Sequence, residues 1–308
     1  MSLTHPLTMI RHFLDLDALD ATALRALLDQ ALTLKRSPTF PDALRGKTVA
    51  MIFEKPSTRT RFSFERAIHD LGGHAIVVNK NDMQLGRGET VADTARVLSR
   101  YVDAIVARTL DHRTLVDLKT HSTVPIINAL SDHSHPCQIL SDVLTVQEAF
   151  GPLPHPRITW IGDPNNVFFS WLQACLMLGF PFTLSCPPAL FHDDLKQHFS
   201  QNPLLTWKEN PLKAVNGAHV VMTDTWVSMG CPNPGAQMRL LTPYQVNETV
   251  MKEADPQAIF LHCLPAVRGQ EVTDAVMDGP QSRVFDQAEN RLHAQRALLL
   301  WCLQTPRA

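Results

Sequence analysis

The residues best suited to chemistry in this sequence stand just after short apolar runs. Ser57-Thr58-Arg59-Thr60-Arg61 follows the run 48–53 and opens a segment of helical periodicity that extends to Leu71. Backbone N–H groups, hydroxyls and a guanidinium at a helix N-terminus make an anion site, most naturally for phosphate. The plainer alternative is a capping Ser57 with surface arginines. Arg108, a further cation after the run 103–107, weighs toward a ligand. Neither GxxxxGKS nor GxxxxGKT occurs, and Gly86-Arg87-Gly88 has no third glycine following a strand, so nucleotide-binding loops are unsupported.

A second set of candidates lies further on. His133, His135 and Cys137 alternate, yet no second cluster supplies the remaining ligands at suitable spacing, so no metal is expected. His135 with Gln138, at the start of a helix, suits hydrogen bonds to the carbonyl and amide of a small ligand. The alternative is a histidine that only packs. Cys263 stands beside His262 and before Pro265, a pattern open to nucleophilic catalysis. Adjacent residues on an extended chain point to opposite sides, however, which places His262 poorly as a base for Cys263. Asp224, after the run 218–222, could share a substrate amine with Cys263 and so give the thiol a positioning role. Together Asn166, Asp224 and Ser228 would suit the amino and carboxylate ends of an amino acid.

The elements that must position these residues can be read from periodicity. Leu24, Leu27, Leu28, Ala31 and Leu32 recur at helical spacing after a possible cap, Asp20, and predict an amphipathic helix over 20–35. Apolar runs at 48–53, 75–78, 103–107 and 124–127 alternate with helical segments, and the rhythm restarts at 157–161, 182–186, 218–222, 258–261 and 282–286. Between the two series, 136–150 reads as a helix and 151–156, with three prolines in six residues, as a boundary; the segment 290–302 reads as a last helix. The class is therefore α/β: two doubly wound parallel-sheet domains joined by helices, with the active site in the cleft between them. In such sheets ligands sit beyond the carboxyl ends of the strands, where the candidate residues stand.

Composition agrees. A chain of 308 residues with 44% hydrophobic content has room for about two domains at roughly 150 residues each. With 28 basic and 30 acidic residues the net charge is -2, which offers no global positive field for nucleic acid or an anionic membrane. No apolar run approaches the roughly 18 residues of a membrane span, and the N-terminus lacks the pattern of a secretory or transit peptide. Six scattered cysteines without a CxxC fit reduced thiols in a cytoplasmic enzyme.

Ser57-Thr58-Arg59-Thr60-Arg61, His135-Pro136-Cys137-Gln138, Asp224-Thr225-Trp226-Val227-Ser228-Met229-Gly230 and His262-Cys263-Leu264-Pro265 occur in that order. Through them the sequence resembles the aspartate/ornithine carbamoyltransferase family. The resemblance runs from the RHFLDLDAL opening to Asp286-Gln287-Ala288-Glu289-Asn290-Arg291, and the SMG segment and HCLP mark the ornithine branch. It implies transfer of the carbamoyl group of carbamoyl phosphate to L-ornithine, giving L-citrulline and phosphate in arginine biosynthesis, without a cofactor. Residues 1–135 would bind carbamoyl phosphate, with the helix 290–308 packing back on them, 136–150 would link, and 151–289 would bind ornithine.

The implied roles follow position by position. Ser57, Arg59 and Thr60 hold the phosphate, with Thr58 lining the loop. Arg108 and His135 grip the phosphate and polarise the carbonyl. Gln138 holds the carbamoyl NH2, helped by the Cys263-Leu264 backbone and by Arg291. Gln84 is supplied by the neighbouring subunit of a homotrimer with shared sites. Asn166, Asp224, Ser228 and Met229 contact ornithine, and Cys263 lies beside the attacking δ-amine. Three departures from the family's pattern stand out: Pro164 in place of a glycine, Phe168-Phe169 in place of smaller or polar residues, and Val267 in place of a histidine. An aromatic just inside a helix is more often packing, so both phenylalanines are expected in the core. Rival readings are a carbamoyltransferase for another amine, such as putrescine or an N-acylated ornithine, and a catalytically weak small-molecule binding protein.

Overall fold

Apolar runs bounded by helical segments become parallel strands, because each helix returns the chain to the same end of the sheet. The structure is a computed structural model and describes residues 10–84, 88–151, 155–227 and 232–303. One compact unit comprises Met1–Cys137 and Arg291–Ala308; the other is Gln138–Asn290. In the first, helices α1 (Ala21–Arg36), α2 (Thr58–Asp70), α3 (Val91–Leu98) and α4 (His112–His121) alternate with strands β1 (Thr48–Phe53), β2 (His74–Asn79), β3 (Ala104–Arg108) and β4 (Ile126–Leu130). The cap expected at Asp20 forms, its carboxylate accepting the Ala23 N–H at 2.7 Å.

The first sheet has the order β2-β1-β3-β4 with every pairing parallel. β1 and β3 are buried along almost their whole length, as strands covered on both faces must be, and Ala50, Ile52, Ile105 and Ala107 pack with Leu115 and Leu118 of α4. The chain leaves β1 toward one edge and returns to the other side at β3. The strand order therefore reverses between them, and the register Phe53↔Arg108 sets Arg108 beside the exit of β1.

Helix α5 (Pro136–Phe150) carries the chain into the second unit. There follow β5 (Ile158–Ile161), α6 (Asn166–Leu178), β6 (Phe182–Ser185), α7 (Asp193–Gln201), β7 (Leu205–Trp207), α8 (Pro211–Val215) and β8 (Val220–Met222). Next come α9 (Pro234–Leu241), α10 (Glu248–Glu253), β9 (Ile259–Leu261), α11 (Asp274–Met277) and α12 (Val284–Leu303), which returns to the first unit. This sheet is also parallel, in the order β7-β6-β5-β8-β9, and reverses between β5 and β8. At the exit of β5, Gly162 has φ +115° and its missing Cβ would lie 3.3 Å from Thr223 Oγ1, so a side chain there would be both strained and crowded.

Two expectations need correction, and one strand went unread in the sequence. The run 282–286 is not a strand: Ser282 makes a single bridge to Phe260, Arg283 N–H bonds the Phe260 carbonyl, and α12 begins at Val284. Gln287, Asn290, Arg291 and Ala294 then bury one helical face. The run 124–127 is displaced, because Pro125 offers no N–H to the ladder; β4 starts at Ile126 and runs on to Leu130, so Asn128, the residue after that run, lies inside the strand. β7, only three residues long, gave no alternation to read. No helix among the described residues is long and apolar enough to cross a membrane.

Candidate functional site

Ser57 occupies the N-cap position of α2, yet its side chain makes no capping bond. Its hydroxyl instead accepts from Arg108 Nη1 at 3.2 Å. One turn on, buried Thr60 accepts from Arg291 Nη2 at 2.6 Å, a contact that ties α12 to the start of α2. His135, only 4% exposed, is held well below the ordinary histidine range, first by burial and then by Arg291, Arg108 and Arg59. At neutral pH it is a neutral imidazole amid cations, and an arriving phosphate would relieve their mutual repulsion. The structure thus brings together Ser57, Arg59, Thr60, Arg108, His135 and Arg291. Thr58 is exposed at the first turn of α2. Gln84 is exposed after β2, and no described contact joins it to the others.

The alternating His133, His135 and Cys137 serve separate ends. His133 lies 3.6 Å from the Asp15 carboxylate. Cys137, fully buried, donates to the Asn128 carbonyl at 3.2 Å, and burial pushes its thiol up to about 12. Asn128 in turn donates to the Leu14 carbonyl and to Ser134 Oγ, which makes it a brace for the loop that presents His135.

In the second unit the reversal between β5 and β8 sets Asp224 near Asn165. Asp224 Oδ2 accepts from Asn165 Nδ2 at 2.7 Å, and Oδ1 accepts from the Thr225 N–H at 2.8 Å and the Cys263 thiol at 3.1 Å. Asp163, close by, is pushed up to about 6, by burial first and then by the Asp224 charge, with a hydrogen bond from Gln237 pulling the other way. Sequence reasoning named Asn166; the amide that reaches Asp224 is Asn165, which also caps α6 by accepting from the Val167 and Phe168 N–H groups. Its place directly before the helical run was the signal that could have found it. Asn166, half-buried, is the first residue of α6. Ser228 and Met229 lie outside the described residues.

Both neighbours of the Cys263 thiol group are constrained. His262 Nδ1 accepts the Leu264 N–H at 2.9 Å, so its Nε2–H faces Glu271 Oε1 at 3.2 Å, and both residues are fully buried. Leu264 has φ +57°, a left-handed conformation that a leucine adopts only when its surroundings enforce it. Asp224, His262 and Cys263 offer potential metal-ligand atoms within 4.8 Å of one another. Both ring nitrogens of His262 are already engaged, however, and a cation there would have to break one of those bonds. The phenylalanines part company: Phe168 is fully buried, stacked on Phe182 and edge-on to Trp160, whereas Phe169 is 40% exposed. The core expectation fails for Phe169 because consecutive helix residues face directions about 100° apart.

Comparison with known proteins adds a relationship to this geometry. Residues 11–148 match the aspartate/ornithine carbamoyltransferase carbamoyl-P binding domain, and residues 155–302 match the Asp/Orn binding domain of the same family. The chain is 50% identical over 305 residues to an ornithine carbamoyltransferase of Rhodopseudomonas palustris, covering 95% of this chain and 97% of that protein. It is 49% identical over 302 residues to one of Rhizobium meliloti, covering 96% and 99%. Among solved structures, ornithine carbamoyltransferase of Pyrococcus furiosus superposes with a TM-score of 0.89 at 46% identity, covering 94% of this chain and 96% of that one. That of Thermus thermophilus gives 0.88 at 39%, covering 96% and 100%.

Proposed function

The chain belongs to the aspartate/ornithine carbamoyltransferase family, and from that premise we propose that it transfers the carbamoyl group of carbamoyl phosphate to the δ-amine of L-ornithine, giving L-citrulline and phosphate. The observation that carries the reading is the set of guanidiniums acting on His135, from Arg291, Arg108 and Arg59, beside the hydroxyls of Ser57 and Thr60. Ser57, Thr58, Arg59, Thr60 and Arg108 hold the phosphate. Neutral His135 donates a hydrogen bond to the carbonyl oxygen with Arg108 alongside, Gln138 and the backbone carbonyls of Cys263 and Leu264 hold the carbamoyl NH2, and Arg291 donates to the oxygens of carbamoyl phosphate. Asn166, Asp224, Ser228 and Met229 hold ornithine, and Cys263 orients its δ-amine without covalent chemistry.

The neutral amine forms the new C–N bond to the carbonyl carbon. The C–O bond to phosphate breaks, phosphate leaves with that electron pair, and the amine proton passes to it. Negative charge grows on the carbonyl oxygen and on the leaving group, so donors and cations fixed in advance favour the transition state over the ground state. The same premise supports a cytoplasmic homotrimer that serves arginine biosynthesis, with Gln84 completing a neighbour's site.

Formation of the ureido product by the purified protein tests the reading, with L-ornithine, putrescine and an N-acylated ornithine offered in turn with carbamoyl phosphate. Turnover with L-ornithine alone is expected. Carbamoylation of putrescine in preference to ornithine would overturn it.

A further inference from the structure

A buried polar chain runs through the second unit from Gln138 to the loop at Cys263. Gln138, 1% exposed, donates from Nε2 to Asp142 Oδ1 at 2.7 Å. Gln287, also 1% exposed, donates from its own Nε2 to the same oxygen at 2.7 Å. Trp171 Nε1 donates to Asp142 Oδ2 at 2.9 Å. Asp142 itself is fully buried, so these donors take the place of water around its carboxylate.

With three N–H donors on its two oxygens, the Asp142 carboxyl group acts as an acceptor, and that fixes the polarity of whatever it binds. An amide has two faces of opposite character that are almost identical in shape. Against Asp142, each glutamine must present its NH2 and turn its carbonyl oxygen away. For Gln287 the released oxygen accepts the His262 N–H at 2.9 Å, and His262 Nδ1 accepts the Leu264 N–H. For Gln138 the released Oε1 is buried and no described residue donates to it. A buried acceptor in that condition is costly unless a donor arrives from outside.

We propose that Asp142 is a positioning residue for substrate selection. By fixing which way round the Gln138 amide lies, it makes that side chain an acceptor that reads the NH2 of the carbamoyl group. Through Gln287 and His262 the same carboxylate holds the Cys263-Leu264 segment in register. The inference rests on Gln138 receiving the carbamoyl NH2.

Acetyl phosphate supplies the test, since it replaces the carbamoyl NH2 with a methyl group and leaves the phosphate and carbonyl unchanged. The quantity to measure is the ratio of the Ki for acetyl phosphate to the KM for carbamoyl phosphate, with the Ki of inorganic phosphate as a reference that involves no NH2. Asp142→Asn keeps the shape and lets the facing amide turn over. It is expected to lower the ratio about tenfold, one hydrogen bond's worth of discrimination, while the inorganic phosphate Ki stays within about twofold. A packing role alone would move the carbamoyl and acetyl compounds together. A folded Asp142→Asn protein with the parent's ratio would overturn the proposal.

Gln138→Ala separates the inference from its premise. If it loses discrimination and Asp142→Asn does not, Asp142 has no such role; if it keeps discrimination, the assignment of Gln138 falls and the inference with it. A crystal of the unaltered protein with phosphonoacetamide, which retains the NH2, decides the matter without any variant. Gln138 Oε1 bonded to the ligand nitrogen, with Nε2 still on Asp142, is expected. The amide turned about, or Asp142 bonded elsewhere, sinks the idea.

Discussion

Ser57 distinguishes a cap from an anion site in one side chain. A capping serine replaced by alanine costs about 1 kcal/mol. Here the hydroxyl faces Arg108 instead, so Ser57→Ala is expected to leave the melting temperature within about 2 °C while raising the KM for carbamoyl phosphate. A clear fall in melting temperature with unchanged KM would return Ser57 to ordinary capping. Asp163 gives a pH signature. Its carboxyl titrates at about 6 in the folded chain against 3.8 for an ordinary aspartate, so the folded state retains a proton through that window that the unfolded state has lost. Stability therefore declines as pH rises from about 4 to 6 and the penalty is complete above. Asp163→Asn should be more stable than the parent by about 2–3 kcal/mol at pH 7.5 and by little at pH 4. Urea midpoints at the two pH values check this, and an equal gain at both would remove the buried charge as the cause. In the sequence, Arg108, His135 and Asp224 were legible because each follows an apolar run. Asn165, Asp142 and Gln287 were not, since what marks them is a partner far away along the chain.

Helix α6 shows how much an element adds to a residue pattern. Phe168 and Phe169 looked alike in sequence, and only the helix phase separates them. Phe168→Ala should cost about 3–5 kcal/mol, and Phe169→Ala less than about 0.5 kcal/mol, read from chemical unfolding. Similar losses at both positions would mean that Phe169 is covered in the assembled protein. Strands buried on both faces were easy to read, as a short continuous apolar run between polar turns fits little else in an α/β chain. The errors fell where an element begins or is very short. The short apolar stretch in 282–286 reads as a strand, but the structure has only a single bridge at Ser282 before α12 begins at Val284, and nothing local in Leu205–Trp207 distinguishes three strand residues from a loop.

Across the whole molecule, two parallel sheets were legible from the restart of the strand rhythm, and the two order reversals explain why the candidate residues gather at the exits of β1 and β3 and of β5 and β8. The proposed role of Gln84, which is exposed, leads to a test of shared sites. Arg59→Gly and Gln84→Ala chains, each nearly inactive alone, are unfolded and refolded together. A restored site needs the Gln84→Ala chain as its body and the Arg59→Gly chain as its donor, so about a quarter of sites should recover in a closed ring. Hybrid trimers with no gain over the parents would mean that each chain completes its own site. The thiols carry one further consequence. Cys137, Cys175, Cys186 and Cys302 are buried, and burial pushes every one of them upward, so almost none of their thiolate exists at neutral pH. Of the described cysteines, only Cys263 is partly open to solvent, and it lies against Asp224. Alkylation by iodoacetamide should accordingly modify Cys263 before those four, and L-ornithine with inorganic phosphate should slow it. Peptide mass mapping over time would give the order, and a chemical reporter of site occupancy would come with it, needing no engineered label.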